Sequence, residues 1–475
     1  MKINPKFFTK AIDLFGYKSV LKEPSALVAY DNDALGFHHY PCDGVLLPRT
    51  REELVKAVNL CLEFDLPFVI RGAGTSLSGG PVAAEGGVVI HVSRLNKILD
   101  IDVNNMVCEV EPGVVLNQLN KELSGYSLFY PPDPSSGSVC TIGGNVAENA
   151  GGLRCFKYGM TTNYVLGAEI LLLDGRVVTL GGPGGETYRG NNCDWKSIFI
   201  GSEGMLGIFL RLWLRLKPLP EKYWTFLVTF KELQDAANTI VDLVRNSITP
   251  LAIELIDKNV IKLIEASPVA AGFDKDCWAL ITEIDGPGEL VDCQAPIIKK
   301  ILEKHSPKEI ILTCEPVERA KLWLARKSAA GLMGQISPDI MTQDAVIPRS
   351  KIGEVLALLY AESEKAEIHC LNVFHAGDGN LHPNFLFDSR IPEQEKKVKE
   401  LGKVLMNKTI ECGGALSGEH GIGNDKMAYI PSYFGEKEIK LQEKLLKCFN
   451  PKNQLNPGKV FPNRSFVGCC VEHPK

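Results

Sequence analysis

The sequence lacks the features that mark several classes of protein. Its 475 residues contain no apolar run of the roughly 18 residues that a membrane-spanning helix needs. The 52 Lys and Arg residues form no basic cluster and the net charge is −5, so nucleic acid is not an expected partner. The charged amino-terminal segment lacks the apolar core and cleavage site of a signal peptide. We therefore expect a cytoplasmic protein without a transmembrane segment, which could reach a membrane only through a partner.

Cysteine is abundant, with 14 residues, but no two cysteines have the CxxC spacing of metal clusters. Many lie in apolar surroundings, which is typical of reduced thiols in a protein core. An iron–sulfur cluster within this chain is therefore not expected. The adjacent pair Cys469–Cys470 is expected to have no functional role.

Helix and strand patterns alternate along the chain. Residues 44–70 predict a strand, a helix that begins after Thr50, and a second strand. The dipeptide Asp174–Gly175 predicts a β-hairpin between two strand-like runs. After Pro218 the pattern changes to strand-like runs that alternate with amphipathic helices. These patterns predict an α+β protein, and the length indicates two or three domains.

Three glycine-rich loops lie at strand ends in the first half of the chain. They are RGAGTSLSGG (71–80), PPDPSSGSVCTIGGNVAENAGG (131–152) and GSEGMLGI (201–208). The first loop fails the GxGxxG fingerprint of nicotinamide cofactors, because Leu77 stands where the third glycine is needed. Backbone N–H groups in such loops can still hold phosphate. Three of them together favour a large cofactor that crosses several strands.

These loops, with YGMTTNYVLGAEILLLDGRV (158–177), resemble the FAD-binding domain shared by p-cresol methylhydroxylase and vanillyl-alcohol oxidase. The second half resembles the C-terminal domain of FAD-linked oxidases. NVFHAGDGNLHP (372–383) and SGEHGIG (417–423) resemble the branch that contains the FAD-linked subunit of glycolate oxidase and the FAD-dependent D-lactate and D-2-hydroxyglutarate dehydrogenases. The resemblance extends from about residue 38 to residue 463.

The resemblance implies a domain organisation. It comprises an N-terminal helical segment (1–37), an FAD-binding domain (38–218), a substrate or cap domain with the metal site (219–425), and a C-terminal segment that packs on the FAD domain (426–475).

The resemblance also implies which residues line the FAD. They are Arg71, Gly72, Ala73, Gly74, Thr75, Ser76, Gly79, Gly80, Pro132, Asp133, Gly143, Gly144, Asn145, Gly151, Tyr158, Gly159, Glu203, Gly207 and Ile208. Some relatives attach the flavin covalently through a histidine of the first loop. This chain has Thr75 near that position and no histidine from residue 41 to residue 90, so we expect non-covalent FAD.

Two histidines of the second half flank an acidic, glycine-rich turn. Asp378–Gly379 is typical of two-residue hairpin loops. With that loop, His375 would lie directly opposite His382, at a Cβ separation of roughly 4.5–5.5 Å. Two imidazoles at that distance can share one metal ion. The spacing also allows two structural histidines that bond to backbone groups.

The motif GEHGIG (418–423) offers a third ligand. Adjacent side chains on an extended chain point in opposite directions, so one of Glu419 and His420 can ligate while the other faces the flavin. The resemblance assigns Glu419 to the metal with His375 and His382, and it makes His420 the catalytic base. Two histidines and one carboxylate leave positions open for substrate and accept zinc, iron or manganese.

The resemblance implies a small D-2-hydroxy acid as substrate, D-lactate or glycolate before a larger acid such as D-2-hydroxyglutarate. Arg326 matches the position at which relatives hold the substrate carboxylate. Asn384 lies two residues after His382 and is expected on the same face of the strand, close to substrate or flavin. The other histidines, among them His91, are expected to be structural or surface residues.

The electrons of the reduced flavin must leave the chain, because no cluster or heme motif is present. An iron–sulfur subunit or an electron-transfer flavoprotein is the expected acceptor, with a quinone or a diffusible acceptor as alternatives. Two other functions stay open. One is a flavin-bearing electron-transfer or scaffold subunit with a structural metal site. The other is a reaction without net redox, as in alkylglycerone phosphate synthase, which would need a basic phosphate pocket.

Overall fold

The computed structural model describes residues 3–36, 39–183 and 193–462. The pair Cys469–Cys470 lies outside the described residues. The chain divides into two compact units. The first comprises Met1–Ala150, Met160–Leu219 and Glu419–Lys475, and the second comprises Gly151–Gly159 and Pro220–Gly418.

The described α-helices are numbered along the chain. They are α1 (Pro5–Phe15), α2 (Pro24–Leu27), α3 (Arg51–Glu63), α4 (Leu116–Ser124), α5 (Ile142–Glu148), α6 (Cys155–Tyr158), α7 (Leu233–Arg245), α8 (Lys258–Glu265), α9 (Gly288–Leu302), α10 (Pro316–Met333), α11 (Ile352–Ala366), α12 (Pro392–Glu411), α13 (Ile430–Tyr433) and α14 (Glu436–Phe449). Among these helices, none combines the length and the apolar composition that crossing a bilayer requires.

The described strands are numbered in the same way. They are β1 (Val20–Leu21), β2 (Gly44–Leu46), β3 (Phe68–Arg71), β4 (Val88–His91), β5 (Ile98–Asp102), β6 (Val107–Val110), β7 (Leu128–Phe129), β8 (Val165–Leu171), β9 (Val177–Gly181), β10 (Ile208–Arg215), β11 (Lys217–Pro218), β12 (Lys222–Phe230), β13 (Ala252–Ile256), β14 (Trp278–Gly286), β15 (Glu309–Thr313), β16 (Asp339–Thr342), β17 (Ala345–Val346), β18 (His369–His375), β19 (Asn380–Leu381) and β20 (Pro383–Phe387).

The first unit contains a sheet of order β1-β2-β4-β3, in which β2, β4 and β3 run parallel. Helix α3 connects β2 to β3. As the sequence predicts, it begins after Thr50, whose hydroxyl accepts a hydrogen bond from the Glu53 N–H at 3.2 Å. The helix buries Leu54, Val58 and Cys61, a spacing that gives one apolar face toward the sheet.

A second sheet of the first unit is antiparallel, with the order β5-β6-β10-β8-β9. The predicted hairpin at Asp174–Gly175 is confirmed, because β8 and β9 pair with Leu171 opposite Val177. Gly175 has a φ of +85°, a left-handed conformation that glycine adopts without steric cost.

The second unit is built on one antiparallel sheet. Its main path is β15-β12-β14-β13-β18-β19-β17, and β20 pairs with both β18 and β16. The apolar side chains on one side of this sheet pack against α8 and α10, where Ile261, Ile264, Ala325 and Ala329 are fully buried. The α+β class predicted from the sequence is confirmed.

Candidate functional site

The first glycine-rich loop begins where β3 ends, at Arg71. Gly79 has a φ of +84° and its N–H donates to the Asp33 carboxylate at 2.7 Å. A Cβ at Gly79 would lie 2.7 Å from Asn424 Oδ1, so the space beside the backbone admits no larger residue. The loop therefore needs glycine here for its conformation and for its close contact with Asn424.

The second glycine-rich loop leads into α5. A Cβ at Gly143 would lie 2.5 Å from Pro112 Cβ, and Asn145 is buried. Among the described residues, Asn145 Nδ2 finds no hydrogen-bond acceptor. Buried polar atoms nearly always have a partner. The crowded glycines and this unused donor fit a cradle for a large polar cofactor, and FAD is such a group.

The segment that carries Glu419 and His420 contacts the first and the third of the glycine-rich loops. The Ser78 hydroxyl donates to the His420 carbonyl at 2.8 Å. The Glu203 carboxylate accepts from the N–H groups of Ile422 at 2.6 Å and Gly423 at 2.8 Å. Glu203, expected to line the cofactor, therefore also holds the backbone just after the expected catalytic base.

A group of buried ionisable side chains surrounds this segment, and the sequence did not reveal it. Burial raises the pKa of Glu148 well above its usual value, and the charge of Glu203 adds to that effect. Burial also raises the pKa of Glu203, against the hydrogen bonds from Ile422 and Gly423. Burial lowers the pKa of Lys459 to about 7. Such clusters are common at functional sites.

The hairpin that carries the two histidines of the second unit differs from the sequence prediction. His375 lies opposite Asn380, not opposite His382, and four residues from Ala376 to Gly379 form the loop. A two-residue loop of the expected type needs a positive φ at both positions, and only Gly379 has one, at +74°. The pairing register is shifted by two residues from the predicted one. Side chains alternate between the two faces of a sheet, so both histidines still lie on the same face.

Despite this shift, His375 and His382 lie side by side. Their ring centroids are 5.2 Å apart, the rings are perpendicular, and both residues are buried. One ring nitrogen of each lies within 4.8 Å of the other. Two nitrogens bound to one zinc ion at about 2.0–2.1 Å would be at most roughly 4 Å apart. The pair therefore needs only a small movement to share a metal ion.

The Nδ1 atoms of both histidines face protein acceptors. His375 Nδ1 lies 2.7 Å from Glu254 Oε1, and His382 Nδ1 lies 3.2 Å from the Gln343 carbonyl oxygen. When Nδ1 carries the proton for such a bond, the lone pair that can bind a metal is on Nε2. The donor chemistry of the second unit therefore fits a divalent metal held by two imidazoles.

Arg326 is buried, and it pairs with Glu254. Its Nε and Nη2 atoms lie 2.9 and 2.6 Å from Glu254 Oε2. Burial alone would raise the pKa of Glu254, but the charges and hydrogen bonds of His375 and Arg326 outweigh burial and lower that pKa. A guanidinium has five N–H donors, so this pairing does not use all of them.

Asn384 lies beside the histidine pair and is held by three hydrogen bonds. Its amide nitrogen donates to the His382 carbonyl at 2.7 Å and to the Leu371 carbonyl at 3.2 Å, and its amide oxygen accepts from Thr342 at 2.7 Å. These bonds fix the side chain in the sheet, next to the backbone of an expected metal ligand.

Asp344 is a second carboxylate near His382. Asp344 Oδ1 lies 4.0 Å from His382 Nδ1. Its other oxygen accepts from the Ser417 hydroxyl at 2.7 Å and from the Gly418 N–H at 3.0 Å. The residue thus holds the chain immediately before Glu419.

The expected site residues belong to both units. Of the ligands and catalytic groups, the second unit contains His375, His382, Arg326 and Asn384, and the first contains Glu419 and His420. Most expected FAD-lining residues belong to the first unit, while Gly151, Tyr158 and Gly159 belong to the second. In the second unit the Tyr158 hydroxyl donates to Asp285 Oδ2 at 2.7 Å.

The sequence interpretation missed Glu254 and Asp344. Glu254 stands inside the otherwise apolar strand AIELI, where an acid is costly unless it has partners. That isolated charge was the available signal. Asp344 follows strand β16 in an irregular connection, and no sequence feature distinguished it from a surface residue.

Two family models match the chain. One, described as FAD linked oxidases, C-terminal domain, matches residues 219–460. The other, described as FAD binding domain, matches residues 42–181.

Curated relatives match almost the whole chain. The glycolate oxidase subunit GlcD of Escherichia coli strain K12 is 36% identical over 444 residues, which cover 93% of this chain and 88% of that protein. A D-lactate dehydrogenase of Anaerostipes hadrus is 31% identical and covers 97% of this chain and 98% of its own. Among solved structures, p-cresol methylhydroxylase with substrate bound matches with a TM-score of 0.81 at 18% identity, covering 96% of this chain and 97% of that one. The expected fold type is confirmed.

Proposed function

This chain belongs to the FAD-linked oxidases, and from that premise we propose that it is an FAD- and metal-dependent dehydrogenase of a small 2-hydroxy acid. The product is the 2-oxo acid. D-lactate and glycolate are the proposed substrates, because relatives that cover most of this chain are named for them. The observation that carries the proposal is the buried His375–His382 pair, whose Nδ1 atoms both face acceptors.

The cofactors have distinct tasks. When bound, FAD supplies the acceptor for the α-hydrogen and its two electrons, and a divalent metal supplies a Lewis acid for the substrate's hydroxyl and carboxylate oxygens. His375, His382 and Glu419 would hold the metal. The glycine-rich loops of the first unit would hold FAD without a covalent bond.

The side chains of the protein bind the substrate and move one proton. His420 accepts the hydroxyl proton, because imidazole is the side chain that most often acts as a general base. Arg326 offers its remaining N–H groups to the substrate carboxylate. Asn384 would contact the substrate or the flavin beside His382.

A second protein would take up the electrons. The E. coli relative is named as a subunit, which supports an assembly with an electron-accepting partner. An iron–sulfur subunit or an electron-transfer flavoprotein fits this role, because the sequence has no CxxC spacing of its own. We propose a cytoplasmic location, with any membrane contact made by the partner.

The test is an anaerobic titration of the FAD-loaded protein with D-lactate and with glycolate, followed by flavin absorbance. We expect bleaching of the flavin, its loss after chelation, and its return on addition of zinc or manganese. If neither acid nor D-2-hydroxyglutarate bleaches the flavin of a metal-loaded protein, the proposed activity is wrong.

His420→Ala tests the base in the same assay. We expect this variant to retain FAD, because the bond to Ser78 is made by the His420 carbonyl, which alanine keeps. We expect bleaching to slow by at least about 100-fold, the usual contribution of a general base. The control is His369→Ala, which removes an exposed histidine at the start of β18 and should bleach normally. Normal bleaching in His420→Ala would contradict the assigned role.

A further inference from the structure

Helix α10 presents two arginines to two neighbouring strands. Arg319 and Arg326 are seven residues apart, which is about two turns of helix. Arg319 pairs with Glu283 of β14, with Nη2 and Oε1 2.7 Å apart, and Arg326 pairs with Glu254 of β13 at 2.6 Å. Both carboxylate side chains are almost completely buried, at 0% and 1% exposure. The two ion pairs are therefore close equivalents within one unit.

Of the two carboxylates, Glu254 is the one that bonds to a histidine. Strands β13 and β18 pair with Glu254 directly opposite His375, so the register of the sheet sets their contact. Glu254 uses one oxygen for His375 Nδ1 and the other for Arg326. The partners of Glu283 are Arg319, Thr225 and the Trp323 indole N–H at 2.7 Å.

We infer that Glu254 is a positioning residue for the metal, and that Arg326 acts through it. The Glu254 carboxylate accepts the Nδ1 proton of His375 and so keeps the lone pair on Nε2, the atom that a metal would take. Arg326 prevents the carboxylate from turning away. This inference rests on the metal of the proposed function, and it adds two residues that hold a ligand without touching the metal.

The choice of a carboxylate is decisive for this role. A carboxylate only accepts hydrogen bonds, so it selects the imidazole tautomer with the proton on Nδ1. A glutamine has nearly the same shape but can also present its NH₂ group to Nδ1, which would put the proton on Nε2 and block metal binding. Loss of such an outer partner commonly costs about 10–100-fold in metal affinity.

The experiment compares Glu254→Gln with Glu283→Gln in the full-length protein. Zinc affinity is measured by competition with a chromophoric chelator, without substrate, so the readout is independent of turnover. We expect zinc to bind about 10–100-fold more weakly to Glu254→Gln than to wild type. Glu283→Gln should bind zinc like wild type, because the groups bonded to Glu283 are an arginine, a threonine and a tryptophan.

Loss of a buried charge partner can prevent folding, since Arg326 would remain unpaired. If Glu254→Gln does not fold, the double variant Glu254→Gln/Arg326→Gln removes both charges at nearly constant volume. Its control is Glu283→Gln/Arg319→Gln. The same difference in zinc affinity is expected between these two.

Three results would overturn the inference. Unchanged zinc affinity in Glu254→Gln, with normal zinc binding and flavin bleaching in wild type, would overturn this inference and leave the proposed function intact. Equal weakening in the Glu254 and Glu283 variants would show that any lost ion pair of α10 has this effect. A wild-type protein that binds no divalent metal would overturn both this inference and the metal of the proposed function.

Discussion

Buried charges support the proposed site in the second unit more directly than the spacing of the histidines does. His375 and His382 could be two structural histidines if only their spacing were known. Glu254 is different, because a carboxylate inside an apolar strand is costly unless it is paired. Its two oxygens bond to His375 and Arg326, so the cost is offset by groups that the proposed chemistry uses. The sequence could show that the charge was isolated, but its partners come from the sheet register, which places His375 opposite Glu254, and from the packing of α10, which carries Arg326.

His91 provides a test of pH dependence at a single residue. Burial, and next the charge of Arg71, lower the pKa of His91 from 6.5 to about 4. Between these values the unfolded chain binds a proton that the folded protein does not bind. Folding stability therefore falls as the pH drops from about 6.5 toward about 4, by roughly 3 kcal/mol at about 1.4 kcal/mol per pH unit.

The variant His91→Gln removes this titration and keeps a polar group near the Tyr30 hydroxyl, which lies 3.3 Å from His91 Nδ1. Urea unfolding of both proteins is compared at about pH 7.5 and about pH 4.5. We expect the variant to gain about 2–3 kcal/mol relative to wild type at the lower pH. A stability difference that does not change with pH would contradict the lowered pKa.

Local sequence signals correctly predicted helix starts and turns whose structure is determined by residues adjacent in sequence. Thr50 caps α3 as expected, and Asp174–Gly175 turns the β8–β9 hairpin. The same dipeptide at Asp378–Gly379 misled, because tertiary contacts set that loop. Gly377 N–H donates to the Ile253 carbonyl at 3.1 Å, and Ile347 N–H donates to the Gly379 carbonyl at 2.9 Å. These partners are distant in sequence, so no local pattern could reveal the four-residue loop.

The glycines of the two hairpins, Gly175 and Gly379, allow a turn set by local sequence to be compared with a turn set by tertiary contacts. Gly175 and Gly379 both have left-handed backbones, with φ of +85° and +74°. An alanine Cβ at Gly175 meets nothing within 4 Å, whereas at Gly379 it would fall on the Ile347 carbonyl oxygen. Gly175→Ala should cost about 1–2 kcal/mol of backbone strain. Gly379→Ala should cost roughly 1–3 kcal/mol more, from overpacking.

Chemical denaturation of the two variants, with protection of the β18 amides from hydrogen exchange, checks this expectation. The Gly175 variant serves as the matched control, since it has the same backbone strain without the collision. Equal losses of stability in the two variants would mean that the hairpin at Gly379 shifts freely to make room.

At the scale of the whole molecule, the end of the chain returns to the first unit. Residues from Glu419 onward belong to the first unit, and Leu455 is fully buried in the same apolar cluster as Phe7 and Phe68. The backbone of Phe68 bonds to both sides of Leu455, to the Gln454 carbonyl at 2.8 Å and the Asn456 N–H at 2.7 Å. The resemblance implied this return. Composition and periodicity could not predict it, because the contacts join residues almost 400 positions apart.

Leu455→Ala tests how strongly the C-terminal segment supports the first unit. Removing a fully buried leucine from a packed cluster costs about 2–5 kcal/mol, and here the loss falls on β3, which leads into the first glycine-rich loop. We therefore expect lower thermal stability of the first unit and weaker FAD binding.

Leu441→Ala is the control, because Leu441 of α14 is 68% exposed and its truncation should change stability by less than about 0.5 kcal/mol. Hydrogen exchange resolves the two units, and we expect faster exchange in β3 and β4 with unchanged exchange in β12 and β14. If the β3 amides of Leu455→Ala exchange at the wild-type rate, the C-terminal segment adds little stability to the unit that would hold the flavin.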